Sequence, residues 1–228
     1  MLNLNSIHQS GGADNDEARP ASTSDDVFER LRLAIVTGEI RPNTPLIEVD
    51  LAEALGVSRT PIRESLQRLA ADELIVQRKR GWAVREYSPQ EIQEAYEVRA
   101  ALEGYAARLA AERGSDAEIA AIAAVQDLRE AEAHPTHEFR VKTNRQFHDG
   151  IINAARNMRL AAAIYRSGRF YFNERIAAAA SKSDFAANQS DHGRIVRALR
   201  ARDANEAEAA MRAHILNTFT AFQRLGAL

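Results

Sequence analysis

Cysteine is absent from the 228-residue chain, which excludes disulfide staples and thiolate metal ligands. Aromatic residues make up only 6%. With alanine abundant, that scarcity favours helices over sheets. No apolar run approaches the ~20 residues that a membrane-crossing helix requires, and the polar first residues lack the apolar centre of a secretory signal. These absences predict a cytoplasmic protein. The net charge is only −2, so the chain as a whole shows no excess of either sign. Hydrophobic residues reach 45%, enough to fill the core of one large domain or two small ones.

Charge is nevertheless distributed unevenly. Asp25–Val57 carries three basic and seven acidic residues, net −4, whereas Ser58–Arg85 carries seven basic and three acidic, net +4. Phosphate binding depends on local positive charge, not on a basic average. The sign changes within Gly56-Val57-Ser58-Arg59-Thr60-Pro61-Ile62-Arg63. Gly56 suits a tight turn and Ser58 an N-cap. Pro61 is tolerated in the first helical turn, where backbone N–H groups have no helical partner. Arg59, Thr60 and Arg63 then project from the N-terminal end of the new helix, the end that a helix-turn-helix inserts into the major groove.

The surrounding chain supports that reading. Ser24 is a plausible N-cap for an amphipathic helix over Asp25–Ile40, with Val27, Leu31, Ala34 and Ile35 on one face. Arg41–Pro45 reads as a rigid connector. A short helix from about Glu48 to Leu55 turns Val49, Leu51, Ala52 and Leu55 inward, and the helix from Ser58 runs to about Ala71. Leu74–Val76 and Trp82–Val84 read as two strands around the turn Gln77-Arg78-Lys79-Arg80-Gly81. Three helices and a hairpin make a winged helix-turn-helix over 25–85, preceded by a disordered tail at 1–24. Ser88-Pro89-Gln90-Glu91 is a capping box that opens the remainder. Residues 86–228 are predicted to form an all-α antiparallel bundle of about six helices, near 88–113, 116–134, 136–154, 157–180, 184–201 and 203–225. Ser115–Glu118 is a second capping box, and Asp203 with Glu206 marks the start of the last helix.

In this reading Arg59 and Arg63 meet base edges or phosphates, since a guanidinium matches the two acceptors of guanine. Ser58 and Thr60 bond phosphate through hydroxyl and backbone N–H groups at a helix N-terminus. Arg78, Lys79 and Arg80 lie along the DNA backbone or enter the minor groove. Arg68 reads equally as a solvated charge or a phosphate contact. The competing view, of surface charges on an ordinary three-helix unit, does not explain why the capped turn, the charge switch and the basic hairpin coincide.

Three of the six histidines stand on core-facing stripes of the helical half. His148 lies one turn after Asn144, His192 precedes Ile195, Val196 and Leu199, and His214 lies among Met211, Ile215 and Phe219. A single such histidine reads first as a hydrogen-bonded core residue. Three on separate helices, with an amide oxygen one turn from the first, also suit a divalent ion such as Zn²⁺ or Ni²⁺. His8, His134 and His137 carry no such signal. Arg99 is an inward candidate for a carboxylate, or an ion pair with Glu103 four residues on. Asn188, four residues before His192, can face the same cavity. Tyr171, Asn173 and Arg175 mix aromatic and polar groups on one helix and can line a pocket or a surface.

Residues Leu51–Leu66, with Arg80-Gly81 at the wing, resemble the GntR family of bacterial transcription regulators. Residues 88–225 resemble the FCD-type effector domain found in its FadR-like branch, through Arg99-Ala100-Ala101-Leu102-Glu103, Asn144-x-x-Phe147-His148, His192-x-x-Ile195 and His214. The resemblance implies a homodimer that binds a short pseudo-palindrome in double-stranded operator DNA, usually as a repressor. It places the family's DNA-contacting arginines on Arg59 and Arg63 and its wing glycine on Gly81. The branch often carries a basic contact just before the second helix, where this chain reads Ile47-Glu48-Val49. The resemblance also implies a divalent metal held by Asn144, His148, His192 and His214. Four protein ligands on a six-coordinate ion leave open sites that a small organic acid, as effector, can fill. Many members have Asp at the first of these positions, so Asn144 removes one anionic ligand and predicts weaker metal binding. Two other readings remain: a metal-responsive regulator in which the ion is the signal, and a metalloenzyme fused to a DNA-binding domain, for which no general base is evident.

Overall fold

The computed structural model describes residues 24–36, 38–167 and 181–224. The predicted tail before residue 24, the second half of the helix expected near 157–180, and Tyr171, Asn173 and Arg175 lie outside the described residues. The chain divides into two compact units that meet between Glu86 and Tyr87.

The first unit comprises α1 (Ser24–Val36), β1 (Pro45–Leu46), α2 (Glu48–Leu55), α3 (Arg59–Ala71), β2 (Ile75–Gln77) and β3 (Trp82–Val84). Val27, Leu31, Ala34 and Ile35 are all buried, as their helical spacing requires, and they share a core with Leu46, Leu51, Leu55, Ile62, Leu66 and Leu69. The sheet is antiparallel and ordered β1-β3-β2, with Ile75 opposite Val84 and Leu46 opposite Trp82. The expected hairpin is therefore a three-stranded sheet. Its extra strand starts at Pro45, the last residue of the expected connector, after Asn43 turns the chain at a φ of 63°. Two residues carry no alternation to read, and Pro45 is acceptable because it lies on an edge strand. Val49 is also not inward: it is 52% exposed. It stands two residues, about 200° of helical turn, from Leu51, so the two cannot share a face.

The second unit holds α4 (Pro89–Arg113), α5 (Asp116–Ala131), α6 (His137–Ala154), α7 (Met158–Arg166), α8 (Lys182–Arg200) and α9 (Ala204–Arg224). Ser88 and Ser115 each close a capping box with the glutamate three residues on. Thr136, Asn157 and Ser181 cap α6, α7 and α8 with their side chains, and Asp203 accepts from the Glu206 backbone at 3.0 Å. Each cap satisfies N–H groups that the first helical turn leaves open. α4 packs along α9, α9 along α8, and α5 against both α6 and α8. That arrangement brings the polar residues of α4, α6, α8 and α9 to one interior.

Candidate nucleic-acid interface and metal centre

Gly56 ends α2 with a left-handed φ of 66°, a conformation that glycine adopts without strain. Ser58 is the N-cap of α3 by backbone geometry, yet its hydroxyl makes no capping bond. The expected cap is therefore conformational only, and both the hydroxyl and the first N–H groups of α3 stay available. Arg59 and Arg63 project from this end with side chains 60% and 58% exposed, and Thr60 is exposed beside them. Glu48, at the start of α2, lies against both arginines, with Oε2 3.3 Å from Arg59 and 3.0 Å from Arg63. Arg63 first, opposed by slight burial and helped by Arg59, holds the Glu48 carboxyl below its ordinary range. The first residue of the second helix is thus an anion shared by two cations. Arg68 is taken up locally: it pairs with Asp25 at 2.6 Å and lies 4.0 Å above the Phe28 ring.

At the wing, Arg78 donates its backbone N–H to the Gly81 carbonyl at 3.0 Å, closing a turn that leaves Arg78, Lys79 and Arg80 exposed. Gly81 has a φ of 80°, and a Cβ there would meet the Leu46 carbonyl at 3.1 Å. Its contribution is to shape the turn against β1; it offers DNA no side chain.

In the second unit His148, His192 and His214 are buried, at 1%, 0% and 2% exposure. One ring nitrogen from each lies within 4.8 Å of the others. His214 Nε2 is 3.3 Å from both His192 Nε2 and His148 Nε2. The proton positions are constrained. His148 donates Nδ1–H to Glu103 Oε2 at 2.7 Å, because a carboxylate only accepts, so a neutral His148 turns the lone pair of Nε2 inward. His214 can donate to one neighbour only. Three such nitrogens cannot satisfy one another, whereas a divalent cation would satisfy all three. Burial, then the nearby His214, Arg129 and His148, push the His192 pKa well below its ordinary value, which favours the neutral, ligating form. The His192 ring stacks on Phe147 with centroids 3.9 Å apart. Asn144, the fourth expected ligand, is half-buried one turn before His148.

Glu103, expected only as the ion-pair partner of Arg99, also reaches His148. Its Oε1 takes Arg99, 3.2 Å from Nε and 3.1 Å from Nη2, while Oε2 takes His148. Arg99 and Glu103 are 2% and 1% exposed. The carboxylate thus orients a candidate metal ligand in the manner of a carboxylate–histidine–metal triad, and Arg99 balances its charge. Arg99 also lies 5.0 Å from the Tyr96 ring centre, and burial raises the Tyr96 pKa to about 12. From α8, Asp191 Oδ2 stands 3.6 Å from His214 Nδ1 and accepts from Asn217 at 3.1 Å. Asn188 is directed to Arg129, accepting from Nη2 at 2.7 Å.

An exposed cationic helix end beside a basic β-turn, carried on a three-helix unit and joined to a helical unit with a polar interior, defines a DNA-binding transcription regulator. Residues 23–84 match the bacterial regulatory proteins of the gntR family, and residues 94–217 match the FCD domain. The chain belongs to the GntR family of transcription regulators, with an FCD domain as its second unit. A probable D-xylose utilization operon transcriptional repressor of Paenarthrobacter nicotinovorans is 32% identical over 193 residues, covering 80% of this chain and 81% of its own. The gluconate operon transcriptional repressor of Bacillus licheniformis is 40% identical over 85 residues, covering 37% of this chain and 35% of its own. E. coli McbR/YncC superposes with a TM-score of 0.73 at 23% identity, covering 88% of this chain and 97% of its own; at that identity the likeness shows the fold alone. The matches are to regulators, not enzymes. Among the described residues no helix is long and apolar enough to cross a membrane.

Proposed function

We propose that the protein is a homodimeric repressor whose hold on operator DNA responds to a small carboxylate bound beside a divalent ion. Ser58, Arg59, Thr60 and Arg63 take the major groove, and Arg78, Lys79 and Arg80 the flanking backbone, with Gly81 shaping the wing. Asn144, His148, His192 and His214 hold the ion. It would supply positive charge and open coordination positions for a carboxylate oxygen. Arg99 adds a second cationic group near the histidines, and Glu103, which it pairs with, fixes the His148 tautomer. The observation that carries the reading is the meeting of three buried Nε2 atoms, one of them with its lone pair directed inward by Glu103.

Regulation then follows from linkage. An effector that favours one arrangement of the dimer by 5–150-fold changes operator affinity by at most that factor, about 1–3 kcal/mol. Fluorescence anisotropy with DNA from the protein's own promoter region tests this, with Zn²⁺ or Ni²⁺, with chelator, and with a panel of small acids. Acid-dependent release that requires the ion supports the reading. Release by chelator alone makes the ion the signal, and binding indifferent to both overturns the proposal.

A further inference from the structure

Arg129 on α5 is 1% exposed, and no acidic side chain pairs with it among the described residues. Nη1 donates to Thr143 Oγ1 at 3.0 Å and more loosely to the Arg140 carbonyl at 3.4 Å, and Nη2 donates to Asn188 Oδ1 at 2.7 Å. All three acceptors are neutral. A guanidinium carries five N–H donors. Buried Nε has no acceptor, and one Nη2 hydrogen is left over. Burial, and the nearby Arg140, lower the Arg129 pKa to about 10, the response of a cation that has lost its water and gained no anion.

A second buried polar atom without a partner lies on the same helix. Gln126, three residues earlier on α5, donates both hydrogens, to Glu130 at 2.8 Å and to the Gln189 carbonyl at 3.0 Å. Its own buried Oε1 has no donor. Arg129 itself is closed to solvent, but two of its neighbours border an open depression. Phe185, whose ring centre is 5.1 Å from the Arg129 guanidinium, and Gln189, which donates to the Arg129 carbonyl, line an open depression of about 370 Å³.

The residues that hold Arg129 belong to the helices that carry the histidines. Thr143 precedes His148 by five residues on α6, and Asn188 precedes His192 by four on α8. At 1.5 Å per residue this is an axial separation of about 6–7.5 Å.

We infer that Arg129 receives a second acidic group of the effector, making that effector a dicarboxylate and not a monocarboxylate. The inference rests on the preceding reading, in which the first carboxylate is taken beside the histidines. One carboxylate can accept both the Nε–H and the spare Nη2–H, the two-point geometry that a guanidinium offers and an ammonium does not. The axial separation suits an acid of roughly five or six carbons with bonds near 1.5 Å. A hydroxyl on the same molecule would donate to Gln126.

Calorimetric titration of the zinc-supplemented full chain compares glutarate and adipate with pentanoate and hexanoate. The diacids are expected to bind about 10- to 100-fold more tightly. Arg129→Met is expected to erase that advantage while monoacid affinity stays within about threefold. Its ligand-free melting temperature should equal or exceed that of the wild type, because an uncompensated buried charge has been removed. Asn188→Asp places a carboxylate against Nη2; it should raise the melting temperature and likewise erase the diacid advantage.

A diacid advantage that survives Arg129→Met overturns the inference. So does a variant that melts lower with unchanged ligand affinities, since Arg129 is then only a brace. Monoacid binding without any diacid preference strikes this inference alone, whereas failure of every acid to bind also removes the carboxylate reading beneath it.

Discussion

The arginines of the two units live under opposite conditions. Arg59 and Arg63 stand more than half exposed, each against the same surface glutamate. Arg99 and Arg129 are 2% and 1% exposed, one locked to Glu103 and the other lacking any acid among the described residues. A cation in water is held cheaply and can exchange an intramolecular carboxylate for a phosphate with little penalty. A cation in the interior is tolerated only with a partner, resident or arriving. The first arrangement suits a long polyanion that must be gripped and released, and the second a small anion that must be selected.

The largest effect expected from disturbing this contrast is at Glu103. Glu103→Gln leaves Arg99 buried without its acid, which should destabilise the protein by about 3–5 kcal/mol. It should also lower affinity for Zn²⁺ by about 10- to 100-fold, as loss of a ligand-orienting carboxylate does elsewhere. Thermal unfolding with chelator separates the first effect from the second, which zinc titration measures. An unchanged zinc affinity would remove Glu103 from the proposed centre.

At the wing the effect is smaller. Gly81→Ala meets both a left-handed φ and the Leu46 carbonyl, so a stability loss of about 1–2 kcal/mol is expected, visible in denaturant unfolding. A neutral result would mean that the turn relaxes freely and that glycine there serves DNA contact instead.

The smallest expected effect lies at the surface pairs. Glu48→Gln frees Arg59 and Arg63 from their common carboxylate. Non-specific DNA binding at low salt should strengthen a few-fold, because an exposed pair contributes at most about 1 kcal/mol. Weaker binding of the variant would show that Glu48 aligns the two guanidiniums more than it restrains them.

What was legible in the sequence depended on the range over which the information acts. Capping boxes at Ser88 and Ser115 are written within four residues, and both form. The stripes that bury His148, His192 and His214 repeat every three or four residues, so each histidine's inward direction was readable on its own helix. Which residue completes the site was not. Glu103 reads locally as the i+4 partner of Arg99, which it is, but its bond to His148 joins positions 45 residues apart. Arg129 hides among Asp127, Glu130 and Glu132, where a charge resembles a solvated face. The available signal was its place on the buried stripe of Ile119, Ile122 and Gln126. β1 escaped because two residues are too few to show a period.

The division of labour between outer and inner arginines is tested most directly by operator affinity measured without effector in the wild type, Arg63→Ala and Arg129→Met. Binding to DNA from the protein's own promoter region should fall about 5- to 150-fold in Arg63→Ala, the range for loss of one two-point base contact, and stay within about threefold of wild type in Arg129→Met. Undiminished binding by Arg63→Ala, or an equal loss in both variants, would contradict the account.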